Sequence, residues 1–330
     1  MESSKVAYAD LEKNANSFYW NDKKKPREDL VNIRLLSRWD LDLQNLDESM
    51  MIKMLGVAQH NQLDWLKNGI EGNIPLHLVH PEGHTVLTIA SQSGARDVVE
   101  YLLDLGLNPA FHAEKGMQYN AYFAACAGGQ FAIIDYLLKH PNQQITLEMR
   151  EPRHHQSGLQ IAVHNLRFAC AKQMIQNYPD VLTLLDKLNR SVMATFLSIF
   201  VTSTFNNHIE GKGLEPQMED CGLFLLNYEN PFTPIAQNAM PAMQVVLQSA
   251  SASFHKANPD QLMSPLNAIR TIHLACPKLG EALFNLAQQN PHGRMEYHFI
   301  KHSEKHFADV KTVREHIAKL KKDKPESESK

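Results

Sequence analysis

The chain has 330 residues, of which 43% are hydrophobic and 21% are charged, and its formal net charge is −3. This composition is typical of a folded protein that is long enough for one elongated repeat array or two compact domains. The balanced charge gives no global argument for binding to nucleic acid or to a membrane surface.

We expect neither a classical secretory signal nor a membrane-spanning segment. The first ten residues are polar, which argues against a secretory signal, and the longest apolar run, Val192–Val201, has about half the length of a membrane-spanning helix. Four cysteines lie far apart and are expected to be reduced thiols. We therefore predict a cytoplasmic protein without membrane insertion and without a cofactor.

The predicted elements begin after a polar lead-in that covers residues 1–46. Met50 and Met54 share one face at helical spacing and predict a first helix. A second helix around Leu66 is predicted to stop at Gly69, because an Asn-Gly pair is a common C-terminal helix cap. The two helices resemble an opening, capping repeat whose second helix is shorter than usual.

The clearest pattern lies between residues 81 and 109. It predicts a turn, a short helix that Gly94 ends, and a second helix that Gly106 ends. The apolar positions of these two helices are Leu87, Ala90, Val98, Val99, Leu102 and Leu103. One pair of helices this short cannot bury its apolar face alone, so it must stack on neighbouring pairs.

This pattern returns twice further along the chain. Ala90 is followed by Ala125 after 35 residues and by Ala162 after a further 37. In the second copy the other matching positions are Gly129, Ile133, Ile134, Leu137 and Leu138. In the third copy they are Cys170, Ala171, Met174 and Ile175, with Leu166 in place of the glycine. The pattern predicts about three stacked helix pairs after the cap.

These residues resemble the ankyrin repeat, whose consensus opens with Gly-x-Thr-Pro-Leu-His-x-Ala. The chain departs from that consensus where Val86 replaces the proline, Thr88 replaces the histidine and Asn120 begins the second copy. The resemblance implies an all-α fold, an ankyrin-type helical-repeat solenoid with capping helices and a divergent helical C-terminal half.

The predicted domains follow from where the pattern weakens. Residues 47–189 hold the ankyrin repeats, a cap plus about three, and residues 190–302 hold divergent ankyrin-like helical repeats. Within the second segment, residues 203–221 are predicted to form a loop, and a Thr-Pro pair at residue 233 is predicted to open a helix. Residues 303–330 are predicted to form an amphipathic last helix and a disordered polar tail.

Metal-binding and catalytic motifs are weak. His80 and His84 flank Glu82 at a spacing used by zinc sites, but Pro81 and Gly83 disfavour the helix that such a site needs. Three more histidines stand at helical spacing, namely His298, His302 and His306. The charges between them favour a solvent-exposed helix face. We therefore predict no metal site and no catalytic residue.

The remaining functional signal is the surface that stacked repeats create. Ankyrin-like arrays are expected to bind partners through the loops between repeats, called fingers, and through the concave face of the first helices. Finger 1, residues 107–120, carries Phe111, His112, Lys115, Met117 and Tyr119. Finger 2, residues 142–158, carries Met149, Arg150, Arg153, His154 and His155. Aromatic, methionine and arginine side chains dominate protein–protein hot spots, so these residues form the predicted partner-binding site.

The favoured hypothesis is a non-enzymatic protein–protein interaction module that is monomeric and binds no nucleic acid. A weaker resemblance is to the ankyrin effectors that intracellular bacterial pathogens deliver by type IV secretion. It rests on the degenerate repeats and on a C-terminal tail rich in Glu, Ser and Lys. This resemblance implies a role in virulence, a host protein as the partner and the host cell cytoplasm as the site of action.

Two alternatives stay open. In the first, the ankyrin segment recruits substrate to a catalytic second half that contains Cys221, His273, Cys276 and the histidines from His298 to His306. In the second, the lysine-rich chain ends bind nucleic acid, which predicts a steep dependence of binding on salt.

Overall fold

The computed structural model describes residues 46–72, 74, 76, 78–141, 144–201, 215–247 and 265–289. Within these ranges all regular secondary structure is helical, which confirms the predicted all-α fold. The contacts divide the chain into two units, Met1–Lys187 and Leu188–Lys330. The predicted lead-in before residue 46, the C-terminal helix and tail at 303–330, and the histidines from His298 to His306 lie outside the described residues.

The described part of unit 1 contains four pairs of helices. The first helices of the pairs are α1 (Leu46–Gln59), α3 (Val86–Ser93), α5 (Ala121–Gly128) and α7 (Gly158–His164). The second helices are α2 (Leu63–Glu71), α4 (Arg96–Asp104), α6 (Phe131–Lys139) and α8 (Phe168–Asn177), and a 3-10 turn, Pro179–Thr183, follows. Each first helix packs on its own second helix and on the first helices of neighbouring pairs. Unit 1 is therefore a helical-repeat solenoid.

The predicted apolar positions form the core of unit 1. All of them are buried in the three copies except Leu138, which is half-buried. The doublet of Val98 and Val99 is fully buried, and its counterpart of Ile133 and Ile134 is 1% exposed at most. Burial of a side chain of this kind contributes about 1.5–3 kcal/mol, so each doublet stabilises the stack.

Within the described residues, unit 2 contains five helical segments. Its helices are α9 (Val192–Val201), α10 (Glu215–Leu225), α11 at residues 242–247, α12 (Pro265–Ala275) and α13 (Pro277–Gln289). Helices α12 and α13 pack on each other, α9 packs on α12, and α10 packs on α13.

Helices α3, α5, α7 and α9 begin with the same N-terminal cap, in which a side-chain oxygen accepts the N–H of the residue three positions later. The capping residues are Thr85, Asn120, Ser157 and Ser191, with O···N distances of 3.1, 2.9, 3.3 and 3.1 Å. Two positions before each cap stands a residue with positive φ: Gly83 at 89°, Gln118 at 54°, His155 at 54° and Asn189 at 57°. Asparagine and serine cap helices as well as threonine does, which explains why the repeat survives loss of its consensus residue. Helix α9 of unit 2 opens in the same way.

The departure of Thr88 from the consensus histidine also has a local reason. Its hydroxyl accepts the N–H of Thr85 at 2.7 Å, while its own N–H donates to the Thr85 hydroxyl. This reciprocal capping box satisfies two backbone donors at the start of α3. Ser157 and Gln160 form the same arrangement at the start of α7.

The first helices of unit 1 end at left-handed residues. These are Asn61 at 54°, Gly94 at 82°, Gly129 at 78° and Leu166 at 60°. A residue with a Cβ is strained in this region, whereas glycine is not. Leu166, the predicted replacement for glycine in the third copy, therefore keeps the glycine conformation and bears its cost.

We expect Leu166→Gly to stabilise unit 1 by about 1 kcal/mol, because it relieves this strain at a half-buried position. Denaturant unfolding of the full chain measures the change. Leu166→Ala is the matched control, since alanine removes the same outer side-chain atoms but keeps the Cβ, and it should not stabilise. A loss of stability in the glycine variant contradicts the prediction.

The predicted end of α2 at Gly69 is wrong. Gly69 is buried inside the helix, which continues to Glu71 and is capped by Gly72, whose N–H donates to the Asn68 carbonyl at 3.0 Å. Helices α2, α4 and α6 each have 9 residues, so the second helix of the opening repeat is not short. An Asn-Gly pair ends a helix only where the glycine adopts a left-handed conformation, and here it stays helical.

Two predictions for the second half are also wrong. The predicted loop at 203–221 is helical from Glu215, because Pro216 lies in the first turn of α10, where its missing N–H has no helical partner to lose. The Thr-Pro pair at residue 233 lies in a loop, and the next helix begins only at residue 242. Residues 202–214 lie outside the described part of the chain.

The loop that contains the Thr-Pro pair, residues 229–241, has the geometry of finger 1. It is called finger 4, because the loop of residues 184–190 is finger 3. In finger 1 the Asn108 side chain accepts the Ala110 N–H at 2.8 Å, and in finger 4 the Asn230 side chain accepts the Phe232 N–H at 3.0 Å. In each finger a proline carbonyl then accepts the N–H of the residue twelve positions later. In finger 1 the Ala121 N–H donates to the Pro109 carbonyl at 3.1 Å, and in finger 4 the Met243 N–H donates to the Pro231 carbonyl at 2.9 Å. Helix α11 thus follows finger 4 as α5 follows finger 1.

Candidate functional site

Finger 1 is held by its backbone against the hairpin that precedes it, residues 80–84. The Met117 N–H donates to the Glu82 carbonyl at 2.8 Å. Gly116, at a φ of 76°, lies against the same carbonyl so closely that a Cβ has no room there. Because backbone atoms make this contact, it fixes the tip of finger 1 without using the side chains of Lys115 and Met117.

Finger 2 contacts the tip of finger 1, and the loop after finger 2 contacts finger 2 in turn. The Arg153 guanidinium donates to the Gly116 carbonyl of finger 1 at 2.5 Å. Lys187 lies in the loop of residues 184–190, called finger 3, and its backbone N–H donates to the His154 carbonyl at 3.4 Å. The Lys187 ammonium also donates to the Arg153 carbonyl at 2.8 Å. Successive finger tips are therefore linked to one another.

A buried carboxylate shapes the tip of finger 2. Glu151 is 2% exposed, and its carboxylate accepts the backbone N–H of Arg153 at 2.7 Å, that of Gln156 at 3.3 Å, and that of His154. These bonds hold a tight turn in which His155 has a φ of 54°. Sequence reasoning missed Glu151, because a glutamate next to a proline in a polar loop gives no sign that its side chain turns inward.

The structure sorts the ten predicted partner-binding residues into two groups. The exposed ones are His112, Lys115, Met117, Arg153, His154 and His155. The half-buried ones are Phe111, Tyr119, Met149 and Arg150. The linked tips bring Lys115 and Met117 of finger 1 close in space to Arg153 of finger 2, although they are far apart in sequence. Lys187 of finger 3 joins this surface and was not predicted.

Arg150 fastens finger 2 to the following segment. Its guanidinium donates to the carbonyls of Leu185 at 3.2 Å, Glu148 at 2.6 Å and Met149 at 3.2 Å. Burial lowers the pKa of Arg150 from its usual value, and the group stays charged at neutral pH. The Arg150 guanidinium, which the sequence pattern assigned to partner contact, is therefore hydrogen-bonded to three backbone carbonyls of its own chain.

Tyr119 occupies the base of finger 1. Its ring centroid lies 6.4 Å from that of Phe123 in helix α5. Burial and the negative charge of Glu151 raise the pKa of Tyr119, so its hydroxyl stays neutral and can donate a hydrogen bond. This ring anchors the finger on the helix that it precedes.

The histidine cluster of the leading hairpin lies in a turn, as its Pro and Gly residues predict. The Glu82 carboxylate is 3.8 Å from Nε2 of His84 and 4.0 Å from Nδ1 of His80. Burial and the neighbouring His80 lower the pKa of His84. Among the described residues there is no group of three or more His, Cys, Asp or Glu side chains placed to hold a metal ion.

Of the residues of the enzyme alternative, the three that the structure describes are interior. Cys221 and Cys276 are fully buried in unit 2, and His273 is 2% exposed. In unit 1, burial raises the pKa of Cys126 well above its usual range and that of Cys170 to about 12, so both remain thiols at neutral pH. A nucleophilic cysteine needs the thiolate and access to substrate, and these side chains pack as core residues instead.

These features define a class of protein, a stack of helix pairs with protruding loops between them. Residues 51–149 match the family model of ankyrin repeats, in three copies, so the chain carries ankyrin repeats as its residues predicted. The match covers the cap and the first two predicted copies; the third lies beyond it as the pair of α7 and α8.

No curated protein matches the sequence. One similar solved structure is described as the Bd0816 predatory endopeptidase from Bdellovibrio bacteriovorus in complex with immunity protein Bd3460. The match to a chain of that structure has 14% identity and a TM-score of 0.40, and it covers 63% of this chain and 97% of the other. Within the described part of the chain, no helix has the length and apolar character needed to cross a membrane.

Proposed function

We propose that the chain is a non-enzymatic protein–protein interaction module whose partner binds across the tips of fingers 1 and 2. The observation that carries the proposal is that these tips are joined by the bond from Arg153 to Gly116 while exposed side chains surround the joint. Loops held in place in this way lose less conformational freedom on binding, so more of the contact energy appears as affinity.

The two groups of predicted residues have different proposed roles. The exposed side chains contact the partner, and Met117, which is 42% exposed, supplies the apolar contact. The half-buried Tyr119 and Arg150 hold the fingers through their ring and carbonyl contacts. The burial of the cysteines and His273 in unit 2 supports a module without catalysis.

We also propose that the repeat array extends past the residues matched by the family model, with repeats over 47–189 and divergent copies over 190–302. The Ser191 cap of α9 supports this extension, because it repeats the Thr85 and Ser157 caps. Finger 4 supports it as well, since its asparagine turn has the bonds of finger 1.

The expected test result is a partner whose affinity depends on the finger tips. We expect the double variant Met117→Ala and His154→Ala to bind a partner captured from cell lysate at least about tenfold more weakly, because both side chains are exposed on linked tips. Titration calorimetry with the purified partner measures the affinity. Ile52→Ala is the matched control, since Ile52 is a 52% exposed aliphatic residue on α1 outside the fingers.

Two outcomes contradict the proposal. One is that no protein is enriched by the full chain over a bead control. The other is a partner that binds the double variant and the wild type with equal affinity. The finer predictions, a type IV effector, a host protein partner, the host cell cytoplasm and a monomeric state, stay predictions.

A further inference from the structure

We propose that the segment of the partner that docks on the finger tips is extended and acidic, with carboxylates about three residues apart. The inference rests on the proposed function and names the chemistry of its ligand. It follows from a row of cations that the fold places on consecutive fingers.

The row consists of Lys115 on finger 1, Arg153 on finger 2 and Lys187 on finger 3, and all three side chains are exposed. Arg153 and Lys187 donate to backbone carbonyls rather than to carboxylates. In the part of the chain that the structure describes, none of the three forms an ion pair. A guanidinium has five N–H donors, so Arg153 keeps donors for a second acceptor after its bond to Gly116.

Glu151, the buried carboxylate of finger 2, does not neutralise this row. Glu151 turns inward, is 2% exposed and is saturated by the backbone N–H groups of finger 2. The tip of finger 2 therefore presents Arg153, His154 and His155 to solvent. A protein that places its acidic group beneath the tip and its basic groups on top has a surface that attracts carboxylates.

The spacing of the row sets the shape of the ligand. Packed helices lie about 8–10 Å apart, so the fingers that connect stacked helix pairs are expected at about this spacing. An extended peptide advances about 3.3 Å per residue, so a carboxylate at every third residue meets a cation on each successive finger. In a helix the same sequence places its carboxylates only about 4.5 Å apart along the axis, which is too close for this spacing.

A peptide fits this surface better than a nucleic acid does. The exposed carboxylates of Glu114 and Glu148 lie on fingers 1 and 2 among the cations, so the surface favours a ligand whose negative charges are separated by uncharged residues over one with a charge at every residue. Met117 stands on the same surface and can contact an apolar residue between two carboxylates. The chain as a whole carries a net charge of −3, which disfavours a polyanion without specific contacts.

The test uses the full chain and a fluorescent synthetic peptide of about ten residues with glutamate at every third position and serine and alanine between. Fluorescence anisotropy at low salt measures its affinity. We expect the double variant Arg153→Glu and Lys187→Glu to bind at least about tenfold more weakly. Lys115→Glu is a second variant, because the Lys115 side chain makes no hydrogen bond to the described residues whose loss might disturb the fold.

Three controls make the result specific. Lys53→Glu reverses an exposed lysine on α1 outside the fingers and should change affinity less than about twofold. A peptide of the same composition with its glutamates contiguous should bind more weakly than the spaced one. A single-stranded oligonucleotide of similar charge should also bind more weakly.

The inference is overturned if the spaced peptide does not bind, if Lys53→Glu weakens binding as much as the finger variants, or if the oligonucleotide binds more tightly. Its failure differs from that of the proposed function. A captured partner that responds to Met117→Ala and His154→Ala but not to the charge reversals supports the proposed function and refutes an acidic ligand.

Discussion

Gly128→Ala is expected to destabilise unit 1 by about 3 kcal/mol, because the new methyl group has no space in the stack. Gly128 ends helix α5, and a Cβ on it overlaps the backbone carbonyl of Gln92 in helix α3. That neighbour is backbone, so no rotamer change relieves the overlap. The two first helices must move apart, and they carry the apolar core between them.

Gly56→Ala is the matched control for this prediction. Gly56 lies inside helix α1, and a Cβ there has no neighbouring atom within 4 Å. Alanine has a higher helix propensity than glycine, so Gly56→Ala should stabilise the unit by about 1 kcal/mol. Denaturant unfolding monitored by circular dichroism measures both variants. If the two substitutions change stability in the same direction, the packing argument is wrong.

Glu229→Gln is expected to stabilise unit 2 by about 3 kcal/mol at pH 8 and by little at pH 4.5. Glu229 is 4% exposed and accepts the Ser191 hydroxyl at 2.6 Å; burial raises the pKa of this carboxyl from 4.5 to about 7. A raised pKa means that folding favours the protonated form. The stability is therefore complete below pH 4.5 and falls as the pH rises towards 7, where the buried group ionises.

The finger comparison suggests a second variant at the same position. Glu229 precedes the Asn230 turn of finger 4 as Leu107, which is fully buried, precedes the Asn108 turn of finger 1. Glu229→Leu should therefore also remove the pH dependence. Hydrogen exchange of α9 amides between pH 4.5 and 8, corrected for the intrinsic rates, measures local stability in unit 2. Asn285→Ala, an exposed control on α13, should leave the pH dependence unchanged.

The stacking of the repeats was predictable because it depends on apolar side chains at fixed spacing. Val98 and Ile133 are buried because of their position in a helix, and position is visible in the sequence. The caps were less visible, since Asn120 and Ser157 do the work of the consensus threonine. A helix cap requires a side-chain oxygen that accepts a hydrogen bond, and several residue types supply one. A search for threonine alone therefore misses these caps.

The finger surface was predictable in its location and not in its contacts. The loop positions of Met117 and Arg153 indicated exposure, which the structure shows. The inward turn of Glu151 and the approach of Lys187 to finger 2 depend on the folding of loops, for which no periodicity exists. The Gly69 prediction failed for a related reason, because the packing of its neighbours decides whether a glycine ends a helix or lies inside one.

The matched starts and stops of the first helices bear on how such a chain changes length during evolution. A deletion from Asn120 to just before Ser157 removes one cap and supplies another, and the residues two positions before these caps, Gln118 and His155, both have a φ of 54°. A deletion of part of a repeat joins a finger to the middle of a helix. Gene rearrangements that add or remove whole repeats are therefore the ones that leave a folded product. With each repeat the chain gains or loses one finger.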